Sequence, residues 1–179
     1  RAAGLVPSTY EAAEATLARE VPILVFPGGD HESLRPLWQA RRVDFNGRRG
    51  FLRIARAAGV PIVPMGITGS HITAPMLLRA RWLAHVLIVP RWLLGTKRWG
   101  LSLLGVLGTV AIALTDLWWP VHLLAIVLWL GSPVTFLPIL PSRIRFRIGA
   151  TLVPEQLFDA ADPELNTAYT TVESTVQDL

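Results

Sequence analysis

The stretch from Leu101 to Leu130 constrains this chain more than any other feature, because Asp116 and His122 are its only strongly polar members. Such a run must be hidden in a core or placed in lipid, since each Å² of apolar surface left in water forfeits about 25 cal/mol. A spanning helix needs about 20 apolar residues. Leu101 to Thr115 is shorter, and Asp116-Leu117-Trp118-Trp119-Pro120 reads as a turn. A second helix is expected from Pro120 to Gly131-Ser132-Pro133, or continuing less regularly towards Pro138. The pattern predicts a helical hairpin that spans the bilayer, dips into one side of it, or packs as the core of a soluble domain. Trp82, Trp92, Trp99, Trp118, Trp119 and Trp129 lie in or beside it, as interfacial aromatics do. Arg79, Arg81, Arg91 and Arg98 precede the segment and Arg143, Arg145 and Arg147 follow it. Positive flanks place both ends at the cytoplasmic face. Met76 to Leu94, which mixes arginines with leucines and tryptophans, reads as interfacial.

Charge is distributed in blocks. Up to Asp44 five arginines face six acids; from Phe45 to Pro154 twelve basic residues face Asp116 alone; beyond that stand six acids and no Lys or Arg. A basic block attracts phosphates. Because the same block holds the most apolar residues, lipid headgroups or a phosphorylated cofactor are expected rather than nucleic acid, with a solvated face as the plainer alternative. With 51% hydrophobic and 17% charged residues, disorder and an ordinary soluble-enzyme composition both fit poorly. With no cysteine, disulfides, cysteine-zinc sites and thiol nucleophiles are excluded. No two histidines stand at metal-ligand spacing and the acids are scattered, so no metal site is expected. The 179 residues suit one domain. The first residue is Arg1 rather than methionine, which suggests a piece of a longer protein.

The remainder reads as α/β: a mostly parallel sheet flanked by helices, with the hydrophobic hairpin inserted before its last strand. Ser8 and Glu11 form a capping box ahead of a helix with Tyr10, Ala13 and Leu17 on one face. Val21 to Phe26 is a continuous apolar run that predicts a buried strand ending at Pro27-Gly28-Gly29. Gly50 to Ala58 predicts a helix with Phe51, Ile54, Ala55 and Ala58 inward and Gly59 as its cap. Val60 to Ile67 predicts a strand, at an edge because of Pro61 and Pro64. Arg143 to Ile148 alternates strictly, as a strand with one basic face does. Asp162 and Pro163 open a last helix, with Leu165, Ala168, Tyr169, Val172 and Val176 as its apolar stripe. The expected organisation is an α/β core over residues 1–75, an interfacial helix and membrane hairpin over 76–141, and a last strand and helix over 142–179.

The loop Phe26-Pro27-Gly28-Gly29-Asp30-His31-Glu32-Ser33-Leu34-Arg35-Pro36 carries the chemistry. A glycine pair after a strand lets backbone N–H groups approach an anionic or polar ligand. It is no phosphate-binding P-loop, since Lys97 is the only lysine. Downstream come Arg48-Arg49-Gly50-Phe51-Leu52-Arg53, then Val60-Pro61-Ile62-Val63-Pro64, then Gly69-Ser70-His71. This succession resembles the lysophospholipid/glycerol acyltransferase superfamily, from about Gly4 to His71 and again at the Arg143 strand and Val153-Pro154-Glu155. Its Phe-Pro-Gly-Gly is most similar to the branch of monoacylglycerol and diacylglycerol acyltransferases and their bacterial relatives.

The resemblance implies acyl transfer at a membrane, from acyl-CoA or acyl carrier protein to a lipid alcohol, without a cofactor. It implies substrate-binding roles for Gly28 and Gly29 in the turn, for Glu32 after it, and for Arg48 before Gly50-Phe51; Arg35 is a further candidate for binding phosphate. The family's base, a His-x4-Asp pair or His-Pro-His-Gly, does not occur here. Pro36, Met76, Pro90 and Val127 stand five positions after His31, His71, His85 and His122. The family places that block upstream, so these residues by themselves are expected not to catalyse. Gly28 and His31 stand where the phosphate-accepting branch has Glu and Arg, which leans the acceptor towards a neutral lipid alcohol. The alternative is a non-catalytic membrane-anchored module that binds lipid or a partner; a pore-like hairpin protein is a third. Individually, Arg41, Arg42, Arg48, Arg49, Arg53 and Arg56 also fit a solvated helical face. His31 fits a loop contact, His71 an edge cap, and Asp116 with His122 a hairpin tip reaching water.

Overall fold

The computed structural model describes Pro7, residues 9–87 and residues 89–179. Gly4 and Ser8 lie outside the described residues. Ten helices are described: α1 Tyr10–Leu17, α2 Asp30–Ser33, α3 Gly50–Ala58, α4 Ser70–Thr73, α5 Arg81–Val86, α6 Val89–Leu94, α7 Leu103–Ala113, α8 Trp119–Gly131, α9 Pro154–Leu157 and α10 Asn166–Gln177. The strands are β1 Met65–Thr68, β2 Met76–Ala80, β3 Trp99–Ser102 and β4 Arg145–Ile148.

The expectation of a mostly parallel sheet is overturned. Among the described residues the strands form two sheets of two strands, β1 with β4 and β2 with β3. The second is antiparallel, with Met76 opposite Ser102, Arg79 opposite Gly100 and an irregularity between Met76 and Leu78. An antiparallel bridge joins Ile62 to Leu152, and Gly149 N donates to Pro64 O at 2.9 Å. Pro61 and Pro64 have no N–H to give a second neighbour, so this segment cannot sit inside a sheet. Val21 to Phe26 forms no strand at all, and Leu24 and Phe26 are each 65% exposed. A continuous apolar run favours extended backbone, but a ladder also requires a partner, and none of the described segments pairs with it.

Contacts divide the chain into two compact units. The first holds Arg1–Gly29, Val43–Gly66 and Arg147–Leu179. Its core is Phe45, Leu52, Leu157, Leu165, Ala168 and Val172, with Leu52 wholly buried. Gly59 ends α3 at φ 63°, the left-handed cap that a Cβ would strain. The buried face of α3 is Leu52 and Ala55; Ala58, expected inside, is exposed. Thr9 caps α1 through its side-chain oxygen. α10 begins three residues after Pro163, and its stripe of Leu165, Ala168 and Val172 enters the core as expected. Asp162 Oδ2 accepts from Thr167 N at 2.6 Å across the helix start.

The second unit holds Asp30–Arg42 and Ile67–Phe146. The stretch read as one interfacial helix opens instead with β2, then turns into α5 and α6. Leu83, Ala84, Leu87 and Trp99 form the core here, and Trp99 Nε1 donates to Leu130 O at 2.7 Å. α7 and α8 pack antiparallel, joined through residues 114–118. Trp129 Nε1 donates to Gly105 O at 2.9 Å near one end, and His122 Nε2 to Ile112 O at 2.5 Å near the other. Ser102 starts α7, accepting from Gly105 N at 2.9 Å and donating to Thr135 O. Among the described residues no helix is long and apolar enough to cross a membrane.

Candidate functional site

The expected binding residues fall into two groups, one in each unit. Gly28, Gly29 and Arg48 belong to the first unit, Glu32 and Arg35 to the second.

In the first group, two motif blocks separated by some twenty positions meet. Arg48 Nη1 donates to Pro27 O at 3.3 Å and to Gly28 O at 3.2 Å. Gly29 lies at φ 49°, and a Cβ built there would stand 2.5 Å from Arg48 Nη1. The backbone angle calls for glycine, and a side chain here would also push the end of Arg48 aside. Arg48 is itself presented by a braced loop. Asn46 N donates to Asp44 Oδ1, and Gly47 follows at φ 67°. α10 supplies the braces, because Val43 N donates to Gln177 Oε1 (2.7 Å), Phe45 N to Glu173 Oε1 (3.2 Å) and Gly47 N to Tyr169 Oη (3.1 Å). Tyr169 Oη in turn donates to Glu173 at 2.9 Å. Burial pushes the Tyr169 hydroxyl pKa up, and it remains a donor. Arg49 is half-buried, donates to Asn166 Oδ1 at 2.7 Å and stacks 5.5 Å from the Tyr169 ring centre. Arg41, Arg42, Arg53 and Arg56 are exposed. A glycine turn gripped by an arginine can hold a carbonyl or an anion, but it contains no group that takes a proton at neutral pH.

In the second group, the single turn α2 is held by one arginine close in sequence and two distant from it. Arg35, only 5% exposed, pairs with Glu32. Arg98 pairs with Asp30 at 3.6 Å, and Arg79 donates to the His31 carbonyl. Buried charge is tolerated where it is matched, and the pairing gives Glu32 and Arg35 a structural task alongside any binding role. His71 is half-buried. Desolvation, and then the Arg35 charge, hold its pKa below the usual imidazole range. A neutral imidazole is what a general base requires, yet the neighbouring guanidinium opposes the imidazolium that proton abstraction would create. Asp116 is exposed between α7 and α8, and His122 is bound to the Ile112 carbonyl. Among the described residues no group of three His, Cys, Asp or Glu is arranged to hold a metal.

Asp30, Arg79 and Arg98 were not singled out as partners of this loop by the sequence. The only signal was the concentration of arginines ahead of the apolar segment, which does not tell which acid each one meets. No protein-family model, curated protein or solved structure matches the chain.

Proposed function

We propose that this chain serves a membrane-associated O-acyltransferase at the cytoplasmic face, forming the acceptor and thioester side of the site. In that reaction the hydroxyl oxygen of a glycerolipid or other lipid alcohol attacks the thioester carbonyl of acyl-CoA or acyl carrier protein. An ester forms, the C–S bond breaks, and the proton removed from the hydroxyl leaves with the thiol. The chain's own contribution is positional: the Gly28-Gly29 turn admits a polar group closely and Arg48 supplies a fixed positive charge beside it. The base is expected from residues other than these. The observation that supports the reading is the meeting of Arg48 with the glycine turn, since the two blocks that carry the resemblance converge at one place. The reading does not rest on a parallel sheet.

The test is ester formation from labelled acyl-CoA and a panel of glycerolipid and other lipid alcohols, using membranes that contain the complete gene product. Turnover is expected, with Arg48→Ala lowering kcat/KM about tenfold or more, the worth of a hydrogen bond to a charged group. A folded protein that esterifies none of these alcohols refutes the proposal. A second reading, a non-catalytic membrane module binding lipid or a partner, is favoured by the pairing of Glu32 with Arg35 and of Asp30 with Arg98. Lipid binding without turnover would select it.

A further inference from the structure

The geometry points to a hairpin that lies along the headgroup boundary of one anionic leaflet, with its axis parallel to the membrane surface. This rests on the membrane association proposed above and settles how that association is made. Length is the first reason. α7 has 11 residues and α8 has 13, so they extend about 17 Å and about 20 Å at 1.5 Å per residue, against a hydrocarbon core of about 30 Å.

The two ends of the hairpin supply the second reason. At the tip, Asp116 is exposed and is followed by Trp118 and Trp119, each 71% exposed. A carboxylate is expensive in hydrocarbon, whereas indole rings settle at headgroup level. Toward the opposite end Val127 and Leu130 of α8 pack on the core of Leu83, Ala84 and Leu87, and α6, which also touches α8, presents Arg91, exposed and against His85, beside Trp92, 90% exposed. Arg81 is exposed on α5. Arginines beside tryptophans match anionic headgroups. Both ends therefore belong at the same depth, and a hairpin standing upright would drive its acidic tip into the acyl chains.

The exposed surface has the third. Leu107 and Val110 of α7 and Leu114, the residue that ends it, recur along one stripe, and Val121, Leu124 and Leu128 along one stripe of α8. These stripes enter the upper acyl region. The polar groups between the helices are already satisfied, His122 by the Ile112 carbonyl and the Trp129 N–H by the Gly105 carbonyl, as lipid demands.

The chain has no cysteine, so single labels are straightforward. Leu107→Cys, Leu114→Cys and Leu128→Cys, all at exposed positions, are labelled with an environment-sensitive fluorophore in the full chain. They are then mixed with phosphatidylcholine/phosphatidylglycerol vesicles carrying shallow or deep spin-label quenchers. All three labels are expected to shift to the blue and to be quenched alike, more by the shallow quencher. The inference is overturned if the Leu114→Cys label is reached best by the deep quencher, if it is reached from the vesicle lumen, or if no label responds to vesicles. The double variant Arg81→Gln/Arg91→Gln is expected to partition about twenty-five-fold more weakly onto these vesicles, at about fivefold per arginine. Unchanged partitioning overturns the anionic preference. Depth is read without acyl transfer. Shallow labels on an inert enzyme would count against the proposed reaction alone, and deep labels on an active enzyme against this inference alone.

Discussion

Replacing Gly29 by alanine and Arg48 by alanine, singly and together, tests whether the arginine grips the turn. At φ 49° an alanine pays about 1–2 kcal/mol for the left-handed backbone. Its Cβ would also lie 2.5 Å from Arg48 Nη1, which must swing away and lose its bonds to the Pro27 and Gly28 carbonyls. Those bonds are long and one of them is exposed, so together they contribute about 1 kcal/mol, at the low end for their type. Gly29→Ala is expected to cost about 2–3 kcal/mol and Arg48→Ala about 1 kcal/mol. The double variant should cost no more than Gly29→Ala alone, because the alanine has already displaced the arginine. The coupling of about 1 kcal/mol exceeds the scatter of about 0.3–0.5 kcal/mol expected for independent sites. Urea unfolding of the four proteins measures it. Both tyrosines belong to the first unit and all seven tryptophans to the second, so tyrosine emission reports on the unit that contains the turn. Additive costs would refute the grip, and an unshifted Gly29→Ala midpoint would refute the left-handed turn.

Other perturbations have equally definite outcomes. A Cβ at Gly108 would stand 2.2 Å from the Trp129 ring, so Gly108→Ala is expected to part α7 from α8 and destabilise the protein by about 1–3 kcal/mol. Thermal unfolding followed by tryptophan emission checks this. Asp162 has a lowered pKa, first because it accepts from the Thr167 N–H. Its contribution is therefore fully present above the unfolded carboxyl value of about 3.9 and is lost as pH falls through the lower folded value. Asp162→Asn should remove that part of the acid dependence, read from urea midpoints across pH. His71 is likewise lowered, first by desolvation, so the unfolded chain takes up its proton more readily. Stability should decline as pH falls below about 6.5, and His71→Gln should flatten that decline. An NMR titration placing the His71 midpoint at or above the usual value would contradict its surroundings.

The candidate site was legible only where its causes are local. Gly28-Gly29 was recognisable as a turn because the glycines themselves permit the backbone, and Gly29 adopts the left-handed angle. The resemblance marked Arg48 as a binding residue, but its grip on the Pro27 and Gly28 carbonyls was not foreseen. The loop that carries Arg48 is set by Tyr169, Glu173 and Gln177, more than a hundred positions away. Glu32 and Arg35 were each singled out for binding, and that they pair with one another was not foreseen. That Arg79 and Arg98 would also converge on α2 was not foreseen either, because one arginine looks like another until the chain folds.

The sequence alone determined the elements whose stabilising groups lie within a turn or two. Gly59 closes α3, Pro120 stands in the first turn of α8, the apolar stripe of α10 turns inward, and the apolar run breaks into two helices at residues 114–118, overlapping the turn expected from Asp116 to Pro120. Tertiary structure decided everything that depends on a distant partner. Val21 to Phe26 carries the composition of a buried strand and forms none, while β1 finds β4 and β2 finds β3. The physical reason is that a helix satisfies its own backbone, so local residues fix it. A strand's hydrogen bonds and the acid that Arg98 meets come from elsewhere in the chain, and only folding selects them.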